Sequence, residues 1–188
     1  MELDEAVQSR RSIRKFKEKR PDWRDIMEAI DSARYAPMSG DIFSLKFVYV
    51  DNEKEIAEIA KWSGQDFIAQ AKCVVVFIRT PVKTKLSFKE RANQYLPQQA
   101  GAAIQNFLLT LEEKGLSTCW IGHFDDEKIK HLLKIPKEKE IEALFPIGYA
   151  KEKPSTRRSR RDFYEMVYFN EWDNDKFGDV KSKRTMEV

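Results

Sequence analysis

Six consecutive residues, CVVVFI at 73–78, include no charged or hydroxyl-bearing side chain. Their β-branched and aromatic content reads as a strand, and along a strand successive side chains point to opposite faces. Both faces of this segment are therefore apolar, as in a central strand covered on both sides. That requirement leads to a sheet carrying helices on its faces.

Three further segments read as strands: LKFVYV at 45–50, STCWIG at 117–122, and IEALFPIGYA at 141–150, the last despite Pro146. Helical patterns separate them. Residues 22–36 follow Pro21, have Asp22 as a cap with Asp25 three positions on, and set Trp23, Ile26, Met27, Ile30 and Ala33 on one stripe before APMSGD stops the helix. NEKEIAEIAKW suits a short helix capped by Asn52, and DDEKIKHLLKI one begun at Asp125. The strongest pattern runs from 98 to 114, where Ala100, Ala103, Ile104, Phe107, Leu108 and Leu111 recur at helical spacing, Ala102 and Leu109 widen the stripe, and Gly115 stands where a stop belongs. An apolar surface that wide belongs in a core or a subunit interface. Strands and helices alternate without a regular βαβ unit, which points to a mixed α+β sandwich, and no linker or repeat marks a second domain. Strand order is not readable at this level.

A chain of 188 residues is long enough to bury about 70% of its unfolded surface in one such domain. Hydrophobic residues make up 41% and charged residues 35%, with 7 Gly and 7 Pro, so the composition is that of a folded protein. The 34 Lys and Arg nearly balance 31 acids, and a net charge of +3 argues against a surface shaped as a whole for nucleic acid. Anion affinity has to be local. Cys73 and Cys119 sit inside apolar runs without a CxxC spacing and read as buried free thiols. No apolar stretch reaches bilayer length and MELDEAVQSR lacks the core of a signal peptide, so the expected compartment is the reducing cytoplasm.

Absent motifs narrow the chemistry. There is no GxGxxG, no GxxxxGK[ST] and no GxSxG, and His123 and His131 form no HExxH pair and have no cysteine at ligand spacing. No metal site is expected, and any chemistry has to come from a borrowed cofactor. Two basic clusters remain. In SRRSIRKFK at 9–17, read as extended, Arg10, Ser12 and Arg14 share one face and Arg11, Ile13 and Lys15 the other. In KEKPSTRRSRR at 151–161, six of eleven residues are Lys or Arg. The two could meet on one phosphate, contact nucleic acid with the help of Phe163, Tyr164 and Tyr168, or be solvated charge. The pattern leaves these readings open.

From Arg10 to about Trp172 the chain resembles the short form of the FMN-dependent nitroreductase family. The matching pieces, in order, are RRSIRKF, APMSGD with LKF after it, GQDFIAQAKCVVVF, AGAAIQNFLLTLEEKGLSTCWIGHFD, LFPIGYA and KPSTRRSRRDFYEMVYFNEW. The resemblance implies an α+β sandwich with a mixed, mainly antiparallel sheet flanked by helices. It also implies one flavin-binding domain over 1–172, a tail over 173–188 that embraces a partner subunit, and a homodimer with FMN at the interface. Arg10, Arg11, Ser12 and Arg14 would hold the FMN phosphate, ribityl chain and pyrimidine edge, and Arg158 and Arg160 would close on the same phosphate. Met38, Ser39, Gly40 and Asp41 correspond to a segment that reaches the flavin from the partner. Ile121, Gly122 and His123 correspond to a segment whose backbone lies near flavin N5.

The chain departs from the resembled pattern at Asp41 for Asn, Phe43 for Gln, Ser44 for Pro, Leu45 for Trp and His123 for a small residue. These departures bear on substrate choice. The implied reaction moves hydride from NADH or NADPH through the flavin to a nitroaromatic, quinone or similar small acceptor, with no side-chain acid, base or nucleophile. The rival readings are dehalogenation or desaturation on the same scaffold, and a flavin- or nucleic-acid-binding protein without turnover.

Overall fold

In the computed structural model, which describes residues 1–152 and 162–175, a four-stranded sheet organises the described part of the first of two compact units, Met1–Pro154 and Ser155–Val188. The domain expected over 1–172 thus spans the first unit and part of the second. The strands are β1 (Leu45–Val50), β2 (Cys73–Arg79), β3 (Ser117–Thr118) and β4 (Glu140–Gly148), in the spatial order β1-β2-β4-β3 with each pair antiparallel. Helices α1 (Leu3–Ser9), α2 (Trp23–Ser32), α3 (Glu53–Ser63), α4 (Val82–Phe88), α5 (Ala92–Glu113) and α6 (Asp126–Leu133) surround it. No described helix is long and apolar enough to cross a membrane.

Strand β2 is central and apolar on both sides. Cys73, Val75 and Phe77 enter one core with α2 and α5, whereas Val74, Val76 and Ile78 enter a second core with α3 and α6. The alternation of side chains along the strand is what divides them. The anticipated caps form as well: Asp22 accepts from Arg24 N–H, Asn52 from Lys54 and Glu55 N–H, and Asp125 from Lys128 N–H.

Three elements differ from expectation. Helix α5 starts at Ala92 and runs through Pro97, because only one internal hydrogen bond is lost there while Ala92, Leu96 and Ala100 stay buried on its inner face. Its wide apolar stripe is consumed largely within the chain's own core, with Ala102 and Leu109 left only partly buried. Trp23, placed on the apolar stripe of α2, is exposed.

The strand expected over 117–122 is interrupted after Thr118 and returns as a single bridge from Ile121 to Leu144. Thr118 faces Ile147, so the same register sets Cys119 opposite Pro146, which has no N–H to offer the ladder. Thr118 Oγ1 donates instead to the Pro146 carbonyl at 2.8 Å.

Helices α3 and α6 close with the same geometry on different residues. Gly64 (φ 61°) and Lys134 (φ 55°) are both left-handed, and Gln65 N–H to Ala60 O and Ile135 N–H to Lys130 O complete the two caps. Lys134→Gly is therefore expected to stabilise the fold by about 0.5–1 kcal/mol. A lower urea midpoint in that variant would contradict the cap.

Burial pushes the Cys73 thiol up to about 12, beside a Tyr49 hydroxyl that desolvation also raises to about 12. The unfolded thiol ionises from pH 9 upward while the folded one stays neutral, so stability falls as pH rises between 9 and about 12. By pH 10 this single group accounts for about 1.4 kcal/mol of lost stability. Cys73→Ala should flatten the decline between pH 8 and 10 by that amount in urea titrations, and an unchanged decline would refute the assignment.

Candidate functional site

The N-terminal segment leaves α1 at Arg10 and runs extended along the sheet. Ile13 N–H donates to Thr118 O, Lys17 N–H to Tyr149 O and Lys151 N–H to Lys15 O, each at 2.9 Å. Ser12 bridges Thr118 in parallel and Phe16 bridges Ala150 antiparallel. Phe16 lies so close to Gly148 that a Cβ there would stand 2.9 Å from its ring. That contact explains the glycine at the end of β4.

Extended backbone sends alternate side chains to opposite faces, and the bridge from Ser12 to Thr118 sets this segment next to Cys119, on whose thiol the Arg14 and Arg10 charges act. Burial raises the Cys119 thiol, while the positive charge of Arg14, a hydrogen bond from Ser12 and the charge of Arg10 pull it back down. Arg14 also lies over the Phe67 ring at 5.9 Å.

Arg11 points elsewhere. Its guanidinium donates to Gln8 O at 2.5 Å and Arg10 O at 2.9 Å, closing the C-terminal end of α1. The continuation of the chain past Cys119 carries the next three candidates. Ile121 is buried and exchanges both backbone hydrogen bonds with Leu144, whereas Gly122 and His123 are exposed.

Met38, Ser39, Gly40 and Asp41 occupy a different neighbourhood. Residues Ser39–Asp41 form a short 3-10 turn whose partners are Gln99 on α5 and Phe88 on α4. Gly40 (φ 58°) and Asp41 (φ 55°) are both left-handed, and Asp41 is exposed. A cleft of about 310 Å³ opens beside the turn between Met38, Ser39, Tyr95 and Ala102. Arg158 and Arg160 lie outside the described residues. In the second unit Tyr168 meets Trp172 edge-on at 4.9 Å.

Sequence reasoning missed two members of these neighbourhoods. Cys119 was read only as a buried thiol, although its place inside STCWIG follows the strand that the N-terminal segment joins. Gln99 is a polar side chain on the apolar stripe of α5, and that misfit was the available signal.

The sequence pattern of the nitroreductase family matches residues 7–65 and 57–149. A Methanothermobacter thermautotrophicus protein with the provisional name NADH dehydrogenase/NAD(P)H nitroreductase is 29% identical over 161 residues, covering 84% of this chain and 82% of that protein. An iodotyrosine deiodinase of Thermotoga neapolitana is 24% identical over 163 residues, covering 78% of this chain and 88% of that protein. The solved structure of an FMN-dependent nitroreductase from Clostridium difficile superposes with a TM-score of 0.76 at 24% identity, covering 89% of this chain and 98% of that one.

Proposed function

The chain belongs to the nitroreductase family, and from that premise we propose that it is a cytoplasmic, homodimeric FMN-dependent oxidoreductase that uses NADH or NADPH to reduce a small acceptor. The observation that carries this reading is the extended N-terminal segment, which pairs Ser12 with Thr118 and sets the Arg10 and Arg14 charges on the Cys119 thiol. Several donors on one face, two of them permanently charged, suit a cofactor that carries a phosphate dianion and a ring that gains negative charge. The residues present therefore fit FMN. Bound there, FMN would supply the redox chemistry, hydride and electron transfer between a nicotinamide donor and a nitroaromatic or quinone.

The protein's own part is to bind and orient. Arg10 and Ser12 hold the phosphate side, with Arg158 and Arg160 as further contacts, and Arg11 keeps the segment in place through the end of α1. Arg14 supplies positive charge at the pyrimidine edge, which favours a ring that gains negative charge. The Ile121–His123 backbone lines the reacting edge, and Met38, Ser39, Gly40 and Asp41 serve the partner subunit's flavin. Exposed apolar pairs one helical turn apart, Leu3 with Val7 on α1 and Val82 with Leu86 on α4, support a second copy as the partner.

The test is direct. Purified protein should be yellow, NADH or NADPH should bleach it under argon, and a nitroaromatic or quinone should restore the colour. Colourless protein that takes up no added FMN refutes the proposal. The 24% identity to an iodotyrosine deiodinase favours one second reading, reductive dehalogenation on the same flavin. Iodide release from iodotyrosine by dithionite-reduced protein, without nitroaromatic turnover, would select it.

A further inference from the structure

A polar side chain on a buried helix face has to be satisfied, and Gln99 is satisfied by one loop. It is 4% exposed, flanked by Leu96, Ala100 and Ala103 on the inner face of α5, and its amide reaches both ends of residues 39–44. Oε1 accepts from Ser39 N–H at 3.1 Å, and Nε2 donates to Ser44 Oγ. Because a backbone N–H can only donate, Ser39 dictates which end of the amide faces which partner and makes the Ser44 hydroxyl an acceptor. Ser44, itself 1% exposed, is fastened to the sheet where Thr80 N–H donates to its carbonyl at 2.7 Å.

Between these anchors the backbone makes two consecutive left-handed residues, Gly40 (φ 58°) and Asp41 (φ 55°). Asp41 N–H to Met38 O and Ile42 N–H to Ser39 O, both 3.2 Å, tighten the turn. Phe88 presses so close to Gly40 that a Cβ there would stand 2.9 Å from its ring. Left-handed geometry is unfavourable for a residue with a Cβ and persists where the surroundings over-determine it. The loop held in this way ends in an exposed tip, with Asp41 and Phe43 facing solvent. A rigid, strained, exposed tip on a buried clamp is the build of a contact segment and not of a connector.

We infer that Gln99 is a positioning residue: by clamping Ser39 and Ser44 it sets the conformation in which the 40–43 tip meets a ligand. The identity of that ligand, the partner subunit's FMN, rests on the function proposed above.

The experiment compares the full-length chain with Gln99→Leu, Gln99→Glu and Ser44→Ala, reading amide hydrogen exchange by NMR and the dissociation constant of FMN. Glutamate, kept neutral by burial, offers a carbonyl oxygen to Ser39 N–H and an O–H to Ser44 Oγ, the same pattern as the amide. In Gln99→Leu the amides of Asp41 and Ile42 should exchange about tenfold faster than in the unaltered chain while those of β2 do not follow, and FMN should bind about five- to tenfold more weakly. Gln99→Glu should stay within about twofold of the unaltered protein on both readouts, because the two hydrogen bonds persist.

Equal acceleration in the loop and in β2 overturns the inference, since Gln99 would then only stabilise the fold. Unchanged loop exchange, or faster exchange with unchanged FMN affinity, overturns it too. Should Gln99→Leu fail to fold, Ser44→Ala removes a single hydroxyl and carries the same comparison. An unaltered protein that binds no FMN removes the flavin reading, and the exchange data alone then decide whether Gln99 sets the loop.

Discussion

Phe77→Ala is expected to lower the free energy of unfolding by about 3–5 kcal/mol, a large part of the total for a domain of this size. Phe77 is fully buried at the centre of β2, and its ring meets Phe47 at 4.7 Å and Phe107 and Phe145 at 5.0 Å. Those three rings come from β1, α5 and β4, so one side chain joins three elements. Truncation removes its transfer energy and leaves a cavity whose walls belong to separate, independently anchored elements. Such walls collapse poorly, which places the cost at the upper end of the range for large-to-small changes. Phe77→Leu keeps most of the volume and should cost about 1–1.5 kcal/mol. A urea titration of the two variants measures the difference. A loss below about 1.5 kcal/mol for the alanine would mean that the ring cluster closes over the gap and that the sheet is not organised around this residue.

Phe77 also shows why the sheet was legible. A strand buried on both faces has nowhere to place polar side chains, so CVVVFI declares its own position, and the alternation that splits it between two cores follows from backbone geometry alone. Caps were legible for a similar reason: Asp22, Asn52 and Asp125 act on amides two or three residues away. Effects that depend on distant partners were not. Pro146 breaks a strand that is its neighbour in space, so the interruption after Thr118 is invisible until β3 and β4 are paired. The short helix α1 buries only Ala6, and α4 turns Val82 and Leu86 outward, so neither carries a core-facing stripe to betray it. At the site, the period of two groups Arg10, Ser12 and Arg14 from sequence alone, but Cys119 and the clamp on Gln99 come from tertiary pairing.

Arg10→Ala and Arg14→Ala should each weaken FMN binding by about 1.5–3 kcal/mol, whereas Arg11→Ala should change it by less than about 1 kcal/mol. The three arginines lie within five residues of sequence, so composition and net charge treat them alike. Geometry does not. Arg10 and Arg14 both act on the Cys119 thiol from one side of the extended segment, while the Arg11 guanidinium is spent on the Gln8 and Arg10 carbonyls. Losing Arg11 should therefore appear as fraying of α1 and a modest drop in stability, with the FMN affinity of the folded protein nearly preserved. Because Arg10 is partly exposed and Arg14 exposed, the deficit of their variants should shrink as salt is raised, the screening length falling from about 10 Å at 0.1 M to about 3 Å at 1 M. Fluorescence titration of FMN into the apoprotein, repeated at two salt concentrations, reads all of these. Equal losses for Arg11→Ala and Arg14→Ala would mean that bulk positive charge and not the shared face attracts the flavin. No loss for either Arg10→Ala or Arg14→Ala would mean that the flavin binds somewhere other than along this face of the segment.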